Sequence, residues 1–296
     1  MLKPRDKILV YQWRTLSQRI EAVFDFLRQC RRAWFLSVAV LFLPVCVVLT
    51  SSAFFHLVRV RRQETPYEWF DDFFGWGNGP SALVYGGVAL VGVWAVFIHV
   101  YSLLAAYEHN DFCLDGISVR KLWPYIKANI LPTLVPTAVT VVVILLVVNA
   151  FNAFVVFLML VIAIPLSLFA PVYMIERCGF MRAMAKAINL GFSSWMSLAF
   201  SIVMIVLIGG LMLLSVNVPW MLARVFLDTF SFNGQEWGYV MLLRFVSLLL
   251  TIVGYLSCYM VGAMVALLCV YHYGYMAEMR GDNAVYGKTI DDFDKL

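Results

Sequence analysis

The stretch that decides the fold runs from residue 130 to residue 175 and reads ILPTLVPTAVTVVVILLVVNAFNAFVVFLMLVIAIPLSLFAPVYMI. It contains no Asp, Glu, Lys, Arg or His. A helix needs about 20 apolar residues to cross the roughly 30 Å hydrocarbon core of a bilayer. One straight helix over the whole stretch, at about 1.5 Å per residue, would be more than twice as long as that. The stretch therefore predicts two spans joined by a tight hairpin at residues 149–152.

The composition of the whole chain agrees with this stretch. Of its 296 residues, 62% are hydrophobic and 14% are charged, whereas soluble domains carry about 25% charged residues. These values exclude soluble globular, disordered and fibrous proteins. The net charge of +4 is small and dispersed, which excludes nucleic acid as a partner. The six cysteines form no CxxC pair, so they indicate neither a disulfide framework nor a zinc site.

Hydropathy predicts an all-α, polytopic membrane bundle with about six transmembrane helices. The apolar runs cover residues 34–58, 81–107, 130–150, 151–175, 195–218 and 239–273. Three regions follow: a basic amphipathic segment at 1–33, a membrane domain at 34–275 and a polar tail at 276–296.

The Lys and Arg residues set the expected orientation. Seventeen of the 22 fall on the side of the two termini, although Arg59, Arg61 and Arg62 form a local exception. Because cytoplasmic loops carry the excess of positive charge, we expect both termini in the cytoplasm and the chain in the inner membrane of a bacterium.

Amphipathic segments precede runs one, three and five. Their apolar faces consist of Ile20, Val23, Phe24 and Leu27, then Val119, Leu122, Trp123 and Ile126, then Phe180, Met184, Ala187, Ile188 and Gly191. In the first segment Arg19 and Arg28 lie largely on other faces, so we expect helices at the cytoplasmic membrane surface. The chain then divides into three units of one amphipathic helix and one hairpin. They are either true repeats or unrelated segments, because amphipathic helices commonly precede membrane spans.

One motif carries a family resemblance. It reads Pro171-Val-Tyr-Met-Ile-Glu176-Arg-Cys-Gly179-Phe-Met-Arg-Ala183 and continues through Leu190 and Gly191 to Trp195. It resembles the membrane domain of glycerophosphoryl diester phosphodiesterases and allied multi-pass bacterial families of unassigned function. Ala187 replaces a usual Ser, and the Trp comes one position early. In the phosphodiesterases a separate soluble barrel performs the chemistry, so the resemblance implies a membrane module without that activity.

The same motif has a plain physical interpretation as an elbow. Pro171 starts the exit from the fourth span, and Glu176 approaches the N-terminus of the next helix, where negative charge is favourable. Gly179 permits a turn, and Ala183 permits close packing. The elbow is either structural or a coupling element that contacts a partner.

Other candidate residues lie within the spans. His99, Ser102, Asn149 and Asn152 could line a cavity. Gly254, Cys258, Gly262 and Ala266 recur every four residues, as in small-residue stripes that pack helices within a chain or between two copies. The aromatic segment at 59–80 suggests an interfacial plug or a docking surface.

No catalytic constellation accompanies these residues. Glu108, His109 and Asp111 cluster without metal-ligand spacing, and with Glu176 they form the only set from which an enzyme could be built. We predict no cofactor, no metal and no buried charge. The sequence therefore favours a non-catalytic scaffold or accessory subunit for membrane lipids or for a membrane or cytoplasmic protein partner. A transporter or channel for a small or lipid-like substrate is the alternative, and homo-oligomerisation stays open.

Overall fold

The computed structural model describes residues 7–60, 80–110, 114, 119–148, 153–232 and 237–281. Within those ranges it contains helices and no strands, which confirms the all-α prediction. In chain order the helices are α1 Leu16–Gln29, α2 Arg31–Val60, α3 Pro80–His109, α4 Val119–Ile130, α5 Leu134–Val148, α6 Ala153–Leu166, α7 Phe169–Glu176, α8 Phe180–Ser193, α9 Trp195–Phe232 and α10 Trp237–Met279.

Five helical stretches of the described chain are long and apolar enough to cross a membrane. They are Arg31–Thr50, Leu90–His109, Phe154–Glu176, Trp195–Pro219 and Leu248–Met279. Helices suit these sequences because a helix satisfies its own backbone hydrogen bonds where lipid offers no partners. The protein is therefore membrane-embedded, with five apolar spans by length and composition, or six if one bent pair of helices counts as a span.

The bent pair contains the predicted third span. Helix α5 lies within the predicted run 130–150, and the amphipathic α4 meets it at 64° across residues 131–133. Pro132 cannot donate a backbone hydrogen bond, and the Thr133 hydroxyl donates to the Asn129 carbonyl oxygen at 2.6 Å. The helix therefore breaks at the proline and restarts two residues later. The predicted hairpin at 149–152 and residues 61–79 of the aromatic segment 59–80 lie outside the described residues.

The amphipathic helices pack through faces that differ in part from the predicted ones, and Trp123 of the predicted α4 face is exposed. Helix α1 buries Arg19, Ala22, Val23 and Phe26, and α8 buries Ala183, Ala187, Leu190 and Gly191. Phe180 and Ile188 are exposed. Small residues on α8 allow backbone to approach backbone: a Cβ on Gly191 would lie 2.4 Å from the Cα of Pro165 in α6.

The chain forms two compact units. The first comprises Met1–Phe35, Phe97–Val206 and Ala263–Leu296, and the second comprises Leu36–Val96 and Leu207–Gly262. The core of the first unit joins α7, α8, α9 and α10 through Phe169, Val172, Leu190, Leu198 and Tyr273.

The second unit packs by small residues against large ones. Its Tyr259 ring lies 5.3 Å from the Phe42 ring, centroid to centroid, and occupies the space that a Cβ on Gly92 would need. This is the close packing that small residues provide between membrane helices.

We predict that Gly191→Ala destabilises the protein by about 1–3 kcal/mol, because the added methyl overpacks the contact with Pro165. The control is Gly210→Ala in α9, where no described residue beyond the chain neighbours and the backbone of that helix turn lies within 4 Å of a new Cβ. That variant should be neutral or stabilising, because alanine is the better helix former. Thermal unfolding in detergent measures both, and equal midpoints for the two variants would contradict the α8–α6 contact.

Candidate functional site

The segment before α1 lies against α10 and α3. A Cβ on Gly274 would lie 2.1 Å from the Val10 carbonyl oxygen, so the backbone of the segment runs directly over that glycine. The Ile8 amide donates to the Tyr107 hydroxyl oxygen at 3.2 Å, and the Tyr107 hydroxyl donates to Gln29 Oε1 at 3.0 Å. These contacts attach both the segment and the end of α1 to the bundle.

Arg14 holds the segment in its folded conformation. Its guanidinium donates to the Leu9 carbonyl oxygen at 2.6 Å and to Gln12 Oε1 at 2.8 Å. It also lies over the Tyr271 ring, 5.0 Å from the centroid. The side chain is buried, and this burial lowers the pKa of Arg14, with Tyr271 acting in the opposite direction.

Arg19 is the centre of a buried polar group that we call the Arg19 cluster: Arg19, Ser194, Ser197, His272 and Tyr275. Arg19 is 2% exposed. Its Nη2 donates to Ser197 Oγ at 2.7 Å, its Nη1 contacts His272 Nδ1, and its guanidinium lies 4.7 Å from the Tyr275 ring centroid. One side chain of α1 therefore joins α1 to both α9 and α10.

Hydrogen-bond chemistry determines the histidine tautomer in this cluster. A guanidinium has donors and no acceptor, so His272 Nδ1 must accept from Arg19. The ring proton then resides on Nε2, which donates to Ser194 Oγ at 2.9 Å. The Ser194 hydroxyl donates in turn to the Leu190 carbonyl oxygen at 2.9 Å. Each group therefore donates to the next, and the series of hydrogen bonds runs from Arg19 on α1 to the Leu190 carbonyl oxygen near the end of α8.

The two buried arginines correct the prediction of no buried charge. In the described residues neither guanidinium contacts a carboxylate, and burial lowers the pKa of Arg19, with Tyr275 opposing. Hydrogen bonds and aromatic faces replace the missing counter-charge. The sequence held a signal for Arg19: it lies four residues before Val23 and seven before Phe26, on the same helical face.

The elbow residues have different roles from those predicted. Glu176 ends α7, and its Oε1 accepts from the Tyr273 hydroxyl at 2.5 Å and pairs with Lys186 Nζ at 2.8 Å. A lysine side chain on α8 thus neutralises this carboxylate. The left-handed turn residue is Arg177, with φ 48°, whereas Gly179 has an ordinary negative φ.

The remaining elbow residues serve packing. Pro171 and Ala183 are buried in α7 and α8. The Trp195 indole N–H donates to the Val161 carbonyl oxygen at 3.1 Å, which joins α9 to α6. None of these three side chains carries a group that could act as an acid, a base or a nucleophile.

The predicted cavity residues are packed where the structure describes them. The His99 ring lies edge-on to Trp34, with 4.2 Å between centroids, and Ser102 donates to the Tyr125 carbonyl oxygen at 3.2 Å. Asn149 and Asn152 lie outside the described residues.

The small-residue stripe of α10 faces neighbours within the chain at two positions. A Cβ on Gly254 would meet Asn217 Oδ1 at 2.7 Å, and one on Gly262 would meet Val96 at 3.7 Å. Cys258 is exposed, and Ala266 is half-buried.

No group of three metal-ligating side chains occurs in the part of the chain that the structure describes. Glu108 and His109 are exposed at the end of α3, Glu176 is paired with Lys186, and Asp111 lies outside the described ranges. Among the described members of the suggested enzyme set, Glu108 and His109 do not form such a group with Glu176.

Two concave surfaces lie in the first unit. The polar cleft, of about 540 Å³, is lined by Lys7, Ile8, Gln12, Arg14, Gln18, Glu21, Ala22, Asp25, Arg28 and Gln29. The apolar groove, of about 530 Å³, is lined by residues of α5, α6 and α8. Neither surface includes His99 or Ser102.

We expect Arg19→Ala to destabilise the protein by about 2–4 kcal/mol, because it leaves the buried polar groups of His272 and Ser197 without their donor. Arg28→Ala, on the exposed face of the same helix, should change stability by less than about 0.5 kcal/mol. Thermal unfolding and proteolysis of the N-terminal segment measure the difference.

A double variant tests the reason for this loss. Arg19→Met combined with His272→Leu removes both polar partners and should recover much of the stability, as apolar replacements of buried polar groups often do. If Arg19→Ala were as stable as Arg28→Ala, the Arg19 cluster would not anchor α1.

Comparison with known proteins finds no matching family model, no matching curated protein and no matching solved structure. The resemblance to the phosphodiesterase membrane domain accordingly stays a prediction.

Proposed function

We propose that the protein is a non-catalytic membrane scaffold that holds a cytoplasmic protein partner against the bilayer. The partner binds the polar cleft between residues 7–14 and α1. In this proposal the spans anchor the protein in the inner membrane, and the excess of Lys and Arg near the termini supports a cytoplasmic position for the cleft.

The fixed position of the cleft walls is the observation that carries the proposal. Arg14 folds the segment, Arg19 attaches α1 to α9 and α10, and Tyr107 bonds to both walls. A helix that only lies on a lipid surface needs no such attachment. A preorganised surface reduces the entropy cost of binding a partner, which is the advantage a scaffold requires.

The charges of the cleft favour a protein partner. Its lining contains charged groups of both signs: Lys7 and Arg28 with Glu21 and Asp25, beside the buried Arg14. A mixed pattern of this kind selects a partner by complementary charge and excludes wrong partners by repulsion. A nucleic-acid or lipid surface would favour one sign throughout.

One observation favours the transporter as the second candidate. The 64° break between α4 and α5 resembles the discontinuous helices at transporter binding sites. Against it, Asn129 and Ser102 beside the break are hydrogen-bonded to the Tyr125 carbonyl oxygen, and neither concave surface reaches them. The scaffold is therefore the better-supported function.

Site-specific photo-crosslinking tests the scaffold. A photoreactive residue at Gln18 or Glu21, both exposed in the cleft, should crosslink in native membranes to one protein that also co-purifies stoichiometrically. The control position is Lys121, which is exposed on α4 and outside the cleft.

Charge reversal separates specific from incidental contact. Glu21→Lys with Asp25→Lys should reduce co-purification about tenfold or more, since like charges oppose the partner's groups. Equal crosslinking at Lys121, or unchanged co-purification of the reversed variant, would refute the scaffold role of the cleft.

A further inference from the structure

Helix α4 exposes a tryptophan together with positive charge. Its inward face is packed: Leu122 and Ile126 are buried, and the Tyr125 carbonyl oxygen accepts from Ser102 of α3 at 3.2 Å. Trp123 was expected on that packed face, but it is 41% exposed. The helix therefore has one face fixed to the protein and an outward face that carries a large aromatic side chain.

The outward face of α4 carries a row of side chains that we call the Arg120 stripe: Arg120, Trp123 and Lys127. All three are exposed. Spacings of three and four residues place successive members about one turn apart on the same side of a helix. The structure shows one of these contacts directly, because Lys127 Nζ lies over the Trp123 ring, 5.7 Å from its centroid. At about 1.5 Å per residue the stripe is roughly 10 Å long, with the indole between the two cations.

The charge on α4 has one sign. The helix contains Arg120, Lys121 and Lys127 and has no Asp or Glu. The ion pair between Lys186 and Glu176 in the described part of the chain involves none of the three. The polar cleft, by contrast, is lined by charges of both signs. A surface of uniform positive charge is complementary to a partner that presents negative charge throughout.

The bend between α4 and α5 favours a position at the membrane surface for the stripe. Only residues 131–133 separate the two helices, which meet at 64°. Helix α5 has no charged residue, and its side chains Val142 and Leu146 are 54% and 52% exposed, as is suited to contact with lipid. Leu131, at the bend itself, is 74% exposed. An exposed apolar bend beside exposed cations matches the boundary between hydrocarbon and head groups.

We propose that the Arg120 stripe binds the head group of an anionic glycerophospholipid in the leaflet that contains the bend. Arg120 and Lys127 contact the phosphate oxygens, because clusters of cations at the membrane surface recognise acidic head groups. Trp123 lies between them at the level below the phosphate, where an indole has both apolar and polar contacts.

The tryptophan is what distinguishes a lipid from other anionic partners. Two exposed cations alone would suit any acidic surface. A lipid offers hydrocarbon directly beneath its phosphate, and this is the arrangement that complements Trp123 and the exposed Leu131. The stripe shares no residue with the polar cleft and does not depend on the scaffold function.

Lipid binding by the purified full chain tests the charge selection. The protein in detergent is titrated with phosphatidylglycerol or phosphatidylcholine of identical acyl chains, and native mass spectrometry gives the dissociation constant of each lipid. The wild type should bind phosphatidylglycerol more tightly. Lys127→Gln should weaken phosphatidylglycerol binding about fivefold, the contribution of one cation beside an anionic head group, and should leave phosphatidylcholine binding unchanged.

Lys121 supplies the matched control. It is also exposed, but it lies about 100° or more around the helix from each member of the stripe. Lys121→Gln removes the same charge from the same helix and should leave the dissociation constant for phosphatidylglycerol unchanged. Lys127→Arg should also preserve binding, since a guanidinium binds phosphate as well. Thermal unfolding confirms that the variants are folded.

Fluorescence quenching tests the depth of the stripe. The protein is placed in vesicles of phosphatidylglycerol brominated near the carbonyl end of the acyl chains. The difference between the emission of the wild type and that of Trp123→Phe isolates the signal of Trp123. Brominated lipid should quench this signal, and aqueous iodide should quench it less.

The opposite outcomes would overturn the proposal. Equal dissociation constants of the two lipids for the wild type, or equal effects of Lys121→Gln and Lys127→Gln, would show that the stripe does not select an anionic head group. A Trp123 signal quenched by iodide and not by brominated lipid would turn the stripe toward water and an acidic protein partner. Glu21→Lys in the cleft should leave lipid binding unchanged, so failure of the scaffold proposal is distinguishable from failure of this one.

Discussion

The burial of one guanidinium constrains the organisation of the first unit. Arg19 leaves water, so each of its donors and its charge must be compensated inside the protein. Ser197 on α9, His272 on α10 and the ring of Tyr275 provide that compensation. The position of α1 follows, and with it the position of the segment that Arg14 folds beside it. Apolar contact alone would attach α1 less specifically, because hydrophobic burial is non-directional.

Close approach of small residues is the complementary constraint. The segment at Val10 reaches α10 only because position 274 is a glycine, and α8 reaches α6 only because position 191 is one. Between membrane helices the hydrophobic effect is weak, so packing at short distance and specific hydrogen bonds determine association. The Trp195 indole bond to the Val161 carbonyl oxygen supplies one such bond beside the Gly191 contact.

Hydropathy was enough to predict the helical fold and most spans, because lipid leaves a helix as the only way to satisfy the backbone of an apolar segment. It placed the start of the third span at Ile130, whereas α4 ends there and α5 begins at Leu134, after Pro132 has removed a backbone donor. The helical periodicity also predicted the wrong packed face for α1, because it assigned Arg19 to the polar side of the helix, whereas Arg19 is buried. A charged side chain can be buried when aromatic rings and neutral acceptors surround it, and those come from sequence-distant helices that no local pattern reveals.

The distribution of polar groups bears on what the molecule does. A transport path needs polar side chains that can exchange partners with a substrate, yet His272 and Ser194 occupy one directed chain of hydrogen bonds that ends on a backbone carbonyl. Glu176 is held by a tyrosine and a lysine. These groups are committed to joining helices. The polar side chains available for binding lie instead on the exposed wall of α1.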